Sequence, residues 1–398
     1  MTHRYSWWRL RNSRVVTWLG AIAVYFAVLL ARGWKGLDQI PTDPGYDYLW
    51  ARVESGWQIF KILPFLHSDQ PLIASITSSL PLEWHGLSTT LLTHLVWSIC
   101  GVIVFTALRR LGQGATVSFI GGLLLVSTPW AAQSAVGNYG NVRWPILVAT
   151  TVVICSQVAR KQPRTVSLVV ASIIASLSNP LHPFLLLLFA VGAATSAAKH
   201  RRSYLIAASA ILIVVIINLL NADISGHSSK ITSFWDGAGL FWVSGQVLPS
   251  IVALLGLGIS IGSFRRWSAP RFFSVNLFVM VLLTAAASYR LGGIADRYYV
   301  TPAVLAAIGA MVLFTDLRAQ SNGVRQTLSN LAAIALSLVL LVPTVRWFVV
   351  FPYLDSAPRW STQVDTARQR CAAGEITEVE FITSSGDSRT DPIACDRL

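Results

Sequence analysis

Carboxylates are scarce in this chain. There are 18 Asp and Glu against 31 Lys and Arg in 398 residues, and charged residues of both signs make up only 12%. Soluble domains carry about 25% charged residues, so a water-facing surface around the whole chain is excluded. With 54% hydrophobic residues and a mean hydropathy of +0.57, the composition is that of a polytopic membrane protein. Cysteine is sparse too, at four residues; Cys100 and Cys155 fall inside apolar runs and read as small packing residues. The first apolar run lacks a small-residue cleavage site and reads as a retained helix, not a signal peptide. A net charge of +13 suggests nucleic acid at first sight. The basic residues, however, stand in short clusters between apolar runs, the pattern of loops that meet anionic headgroups, so no nucleic-acid partner is expected.

Hydropathy divides the chain into about eleven spans, an all-α polytopic fold. Arg4, Arg9, Arg11 and Arg14 place the amino terminus in the cytoplasm. Basic clusters then recur on that side at Arg109-Arg110, Arg160-Lys161, Lys199 to Arg202, Arg265-Arg266 and Arg318. Residues 1–350 form the transmembrane domain, with a long first extracytoplasmic loop over 32–85, and 351–398 form a small extracytoplasmic tail. Seventeen Lys and Arg fall on the cytoplasmic side and 14 opposite, whereas 17 of the 18 carboxylates are extracytoplasmic and only Asp316 is cytoplasmic. Residues 165–198 have basic clusters at both ends and must cross an even number of times. Two short spans around Ser178-Asn179-Pro180 are favoured over a hairpin that stops within the membrane.

The first loop holds the densest chemistry. Leu49, Trp50, Val53, Trp57 and Phe60 recur at three- and four-residue spacing with polar residues between them, which predicts an amphipathic helix in the headgroup region; a second short one is expected over 72–80. Asp38, Asp43 and Asp47 precede the first helix and are candidates for a general base at the lipid interface. Asp43 before Pro44 equally suits an Asx turn, and Asp47 an N-cap. His67 and Asp69 are candidate substrate contacts; no further ligand stands at metal spacing, so neither a metal nor another cofactor is expected. Arg143, Arg290 and Arg297 sit at extracytoplasmic helix ends, where a guanidinium binds phosphate bidentately. Arg32 reads as a snorkelling anchor. Cys371 and Cys395 lie in the tail, where an oxidising compartment permits a disulfide, and 378–382 is a candidate strand.

These features, taken in order, resemble the C-type glycosyltransferases (the GT-C superfamily), and more closely a group of uncharacterised polytopic bacterial proteins with that architecture. The stretches that carry the resemblance are Leu80-Pro81-Leu82-Glu83-Trp84, Gly140-Asn141-Val142-Arg143-Trp144, Ser178-Asn179-Pro180, Asp296-Arg297-Tyr298-Tyr299-Val300-Thr301-Pro302, and Cys371. The resemblance implies sugar transfer from a polyprenyl-phosphate-linked donor to an envelope glycan or lipid acceptor outside the membrane. An aspartate of the first loop would be the base, Asp43 ahead of Asp47 and Asp38, and Arg297, with Arg290 or Arg143, would meet the donor phosphate. The chain departs from better-known members in lacking an adjacent acidic pair in this loop. An O-antigen-type polymerase or ligase is the nearest alternative. A transporter or a non-catalytic envelope assembly protein is a second, although the deep segments are almost free of the ionisable residues that transport uses.

Overall fold

A computed structural model describes residues 3–40, 73, 76–77, 79–128, 141–179, 181–221, 247–262, 268–292, 299–320, 358–383 and 392–398. Ten helices run through it in sequence order: α1 (His3–Gly33), α2 (His85–Arg110), α3 (Ala115–Ser127), α4 (Arg143–Arg160), α5 (Thr165–Ser178), α6 (Leu185–Thr195), α7 (Ala198–Asn221), α8 (Leu248–Gly262), α9 (Ala269–Gly292) and α10 (Val300–Gln320). They follow the first ten stretches expected from hydropathy; the eleventh falls on 321–357, outside the described residues. Among the described residues four helical segments are long and apolar enough to cross a membrane, Val15–Gly33, Leu82–Arg110, Ala269–Ala287 and Val300–Gln320. The molecule is built as a membrane protein. Cys100 and Cys155 are free and buried, as packing residues should be.

The helices associate through small residues, as helices in lipid do where apolar burial alone gives no preference. Tyr25 of α1 is fully buried and its hydroxyl donates to the Phe119 carbonyl of α3 at 2.9 Å. A Cβ on Gly122 would lie 2.3 Å from the Tyr25 hydroxyl and 2.5 Å from the Gly101 carbonyl, so α1, α2 and α3 meet here only because both positions are glycine.

Arg32 is a correction to the sequence reading. It does not snorkel to water: it is fully buried, and its guanidinium donates to the carbonyls of Val126 and Thr128, the latter at 2.8 Å. The last carbonyls of α3 have no intrahelical donors, and a cation at a helix C-terminus also meets the negative end of the dipole. The requirement that holds Arg32 is thus set by a helix almost a hundred residues later.

The segment 165–198 folds as two helices joined by a short turn. Where α4 ends, the Gln157 amide donates to Ser167 at 3.0 Å and accepts from the Arg164 backbone at 2.6 Å. Where α4 begins, the Asn179 amide after α5 donates to the Arg143 carbonyl at 3.3 Å. Both ends are therefore in register, and α5 covers the length of α4. The bundle has two recognisable ends, a cap end with Arg143, Asn179 and His85, and a basic end with Arg110, Arg160 and Arg164.

Helix α11 (Trp360–Ala372) and two short antiparallel strands, β1 (Glu378–Val379) and β2 (Ile393–Ala394), form the tail. The expected strand exists, though two residues long. Cys371 and Cys395 are bonded, with their Cα atoms 5.6 Å apart. The bond joins the end of α11 to the residue after β2, and closing such a loop stabilises by about 2–4 kcal/mol. Cys371→Ser should lower the stability of the tail by that amount, read as faster proteolysis after Arg368 or Arg370. Non-reducing peptide mapping of membranes should recover the two cysteines in one cross-linked species.

Candidate functional site

The first loop begins at a junction that the tail completes. Asp38 takes a left-handed backbone, φ +65°, which Asp adopts more readily than most side chains. Its carbonyl accepts from the Trp360 backbone at 2.7 Å, and its Oδ2 accepts from the Ser361 hydroxyl at 2.5 Å and the Ser361 backbone at 3.3 Å. A carboxylate on the free N–H groups that open a helix is favourable on both hydrogen-bonding and dipole grounds. Asp38 thus caps α11 from 323 residues away. Trp360 is 1% exposed; its indole donates to the Leu82 carbonyl at 2.7 Å and its ring lies 4.7 Å from that of Phe381. Glu83 pairs with Arg368 at 3.0 Å. The stretch Leu80-Pro81-Leu82-Glu83-Trp84 therefore serves as the seat of the tail.

Gly86, in the first turn of α2, makes the seat possible. A Cβ there would lie 2.8 Å from the Asp38 carbonyl carbon and 2.9 Å from the Trp360 Cβ. Neither atom can swing aside. Gly86→Ala should cost about 1–3 kcal/mol, as overpacking of a tight contact does, and should free α11 for limited proteolysis at a dose that leaves the wild-type tail intact.

A second cluster lies at the start of α4. Arg143 sits 5.2 Å from the centroid of the Trp144 ring, a cation–π distance, and the Trp144 indole donates to Asn141 Oδ1 at 3.3 Å. Asn179 is fully buried; besides holding the Arg143 carbonyl it accepts from the Leu181 backbone at 2.9 Å, and its own carbonyl is 2.7 Å from His182 Nδ1. Two more of the matching stretches, around Arg143 and around Asn179, are thus in direct contact. The Tyr299-Val300-Thr301 part of another is buried at the start of α10.

Of the residues singled out from sequence, the structure places Asp38 in the junction, Arg143 on Trp144, and Arg290 in the last turn of α9. Asp43, Asp47, His67, Asp69 and Arg297 lie outside the described residues. Among those described, no group of three His, Cys, Asp or Glu converges on a possible metal position.

Asp316, near the end of α10, is already engaged. It is 8% exposed and pairs at 3.3 Å with Arg271, itself 3% exposed. Ser268 and Gln320 donate to its other oxygen at 2.7 and 2.9 Å. Sequence reasoning treated Asp316 only as an exception to the charge pattern and missed this pair. The available signal was an acid deep enough in a span to need a partner.

No family model matches the chain, and no curated protein matches its sequence. Solved structures of the Archaeoglobus fulgidus oligosaccharyltransferase are similar to it. One, tethered with an acceptor peptide, aligns at 12% identity and TM-score 0.48 over 90% of this chain and 58% of its own. Another, AglB with an inhibitory peptide and a dolichol-phosphate, aligns at 12% identity and TM-score 0.49 over 91% and 59%. The chain spans somewhat under three fifths of the length of these proteins. At this level the similarity says nothing of activity.

Proposed function

We propose that this protein is a glycosyltransferase of the bacterial plasma membrane that moves a sugar from a polyprenyl-phosphate-linked donor to an envelope glycan or lipid acceptor on the extracytoplasmic side. About eleven spans would set the amino terminus in the cytoplasm and the tail outside. The observation that carries the reading is the state of the carboxylates. Asp316, the one carboxylate on the basic side, is consumed by a buried ion pair with Arg271. On the other side Asp38 caps α11 and Glu83 pairs with Arg368. Among the acids of the first loop, those not yet engaged are favoured as the general base, by position Asp43 and then Asp47. Ile40, 1% exposed beside the junction, roots the segment that carries them, and three residues of chain reach at most about 11 Å.

In this reading Asp43, or Asp47, takes the proton of an acceptor hydroxyl as that oxygen bonds to the anomeric carbon. The bond from that carbon to the phosphate oxygen breaks, and its electron pair leaves with polyprenyl phosphate. Arg297, with Arg290 and Arg143, stabilises the charge on the departing group, while His67 and Asp69 contact the sugar or acceptor. The test is a deletion strain complemented with wild type, Asp43→Asn, Asp47→Asn or Arg297→Ala, with envelope glycans and polyprenyl-linked sugars profiled. The deletion should lose a glycan and accumulate its lipid-linked precursor. An unchanged profile in the deletion would sink the enzyme reading, and full rescue by both aspartate variants would reject this site.

A further inference from the structure

A trench of about 530 Å³ opens between α2, α4 and α5. Its floor is the face of α4 that carries Ala149, Thr150, Val153 and Ser156, small side chains at helical spacing that let the walls stand above them. The rims are apolar and exposed: Ile99 and Ile103 on α2 are 41% and 38% exposed, and Val170 and Ile174 on α5 are 48% and 44% exposed. Charge is confined to one end, where Arg110, Arg160 and Arg164 line the mouth with Gln157 and Gln162, and no carboxylate stands among the described lining residues. Gln157 is already satisfied by Ser167 and the Arg164 backbone, so the mouth is a cationic opening over a closed polar floor.

The dimensions match one class of occupant. From Val96 to Arg110 the α2 wall rises by 14 residue steps, about 21 Å at the helical rise. One leaflet of the hydrocarbon core is about 15 Å thick, half of the usual 30 Å, which leaves about 6 Å for a headgroup at the arginines. The volume lies within the range of about 300–1,000 Å³ usual for small-molecule sites. We propose that the trench binds one anionic glycerophospholipid from the leaflet at the basic end, an acyl chain along α4 and the headgroup phosphate among Arg110, Arg160 and Arg164. Guanidinium groups match phosphate geometry, and the exposed pair Arg160 and Arg164, with no carboxylate among the described lining residues, favours an anionic headgroup over a zwitterionic one. The headgroup end of the trench lies at the end of the bundle opposite Asp38 and Arg143, and the proposal does not depend on the glycosyltransferase reading.

The full-length protein in detergent, delipidated and incubated with phosphatidylglycerol or with phosphatidylcholine of the same chains, is read by native mass spectrometry. Wild type should retain one phosphatidylglycerol per chain in preference to phosphatidylcholine. Arg160→Gln/Arg164→Gln, two exposed positions whose change leaves the bundle intact, should lower phosphatidylglycerol retention about thirtyfold, the loss of two charges of about 1 kcal/mol each. Val153→Trp, which fills the trench, should abolish retention of both lipids. Arg201→Gln/Arg202→Gln, equally basic but outside the trench, should match wild type. Equal retention by wild type and Arg160→Gln/Arg164→Gln would overturn the proposal, as would an equal loss in the Arg201/Arg202 variant or no preference for phosphatidylglycerol.

Discussion

Asp43→Asn is expected to lower sugar transfer by about 10²–10⁴-fold, the usual contribution of a positioned general base. Asparagine keeps the size and the hydrogen-bonding outline of aspartate but cannot take a proton. If Asp43 instead serves only as an Asx turn before Pro44, asparagine fills that role equally well, and the variant would keep full activity. The substitution therefore separates the chemical role from the local structural one. Asp38→Asn is the informative companion. Asp38 Oδ2 accepts from Ser361, and an amide oxygen can do the same, so that variant should keep most of its activity while weakening the cap. Activity lost at Asp38 and retained at both Asp43 and Asp47 would move the base to the junction and reverse the assignment. Purified protein with a synthetic polyprenyl-phosphate sugar is the direct assay, since it separates rate from expression level.

Asp316→Ala should destabilise the protein by about 3–5 kcal/mol, because it strands the Arg271 guanidinium in a site with almost no access to water. The expected readout is a large drop in thermal unfolding temperature in detergent and a low yield from membranes. The discriminating variant is Arg271→Met/Asp316→Leu, which removes both charges and replaces them with apolar volume. Buried pairs exchanged in this way are often neutral or better, so the double variant should recover most of the loss and leave activity untouched. If the double variant were as unstable as Asp316→Ala, the polar network with Ser268 and Gln320 would matter more than the ion pair.

These two aspartates show how unevenly the chain could be read in advance. Helix positions were legible because the cost of placing charge or unpaired backbone in hydrocarbon is paid locally, along one dimension. Ten helices follow where apolar runs predicted them. The disulfide was legible because only two of the four cysteines lie outside apolar runs, and Cys371 and Cys395 are indeed joined. The two-helix form of 165–198 was half legible: the basic clusters demanded an even number of crossings, whereas the register of α5 on α4 needed the contact between Asn179 and the Arg143 carbonyl.

Individual polar side chains were not legible, and the reason is the same for each. Asp38, a candidate base by its place in the loop, also holds the start of α11 through Trp360 and Ser361. Arg32 read as a surface anchor until the carbonyls at the end of α3 claimed it. Asp316 read as an exception in a charge count until Arg271 neutralised it. The sequence by itself determined the membrane class and the succession of helices, because periodicity and charge density are local properties. Only the tertiary structure decided which carboxylates are already spent and where an arginine-mouthed trench opens. Those depend on partners 45 to 323 residues apart, brought together by helix packing that leaves no periodic trace in the chain.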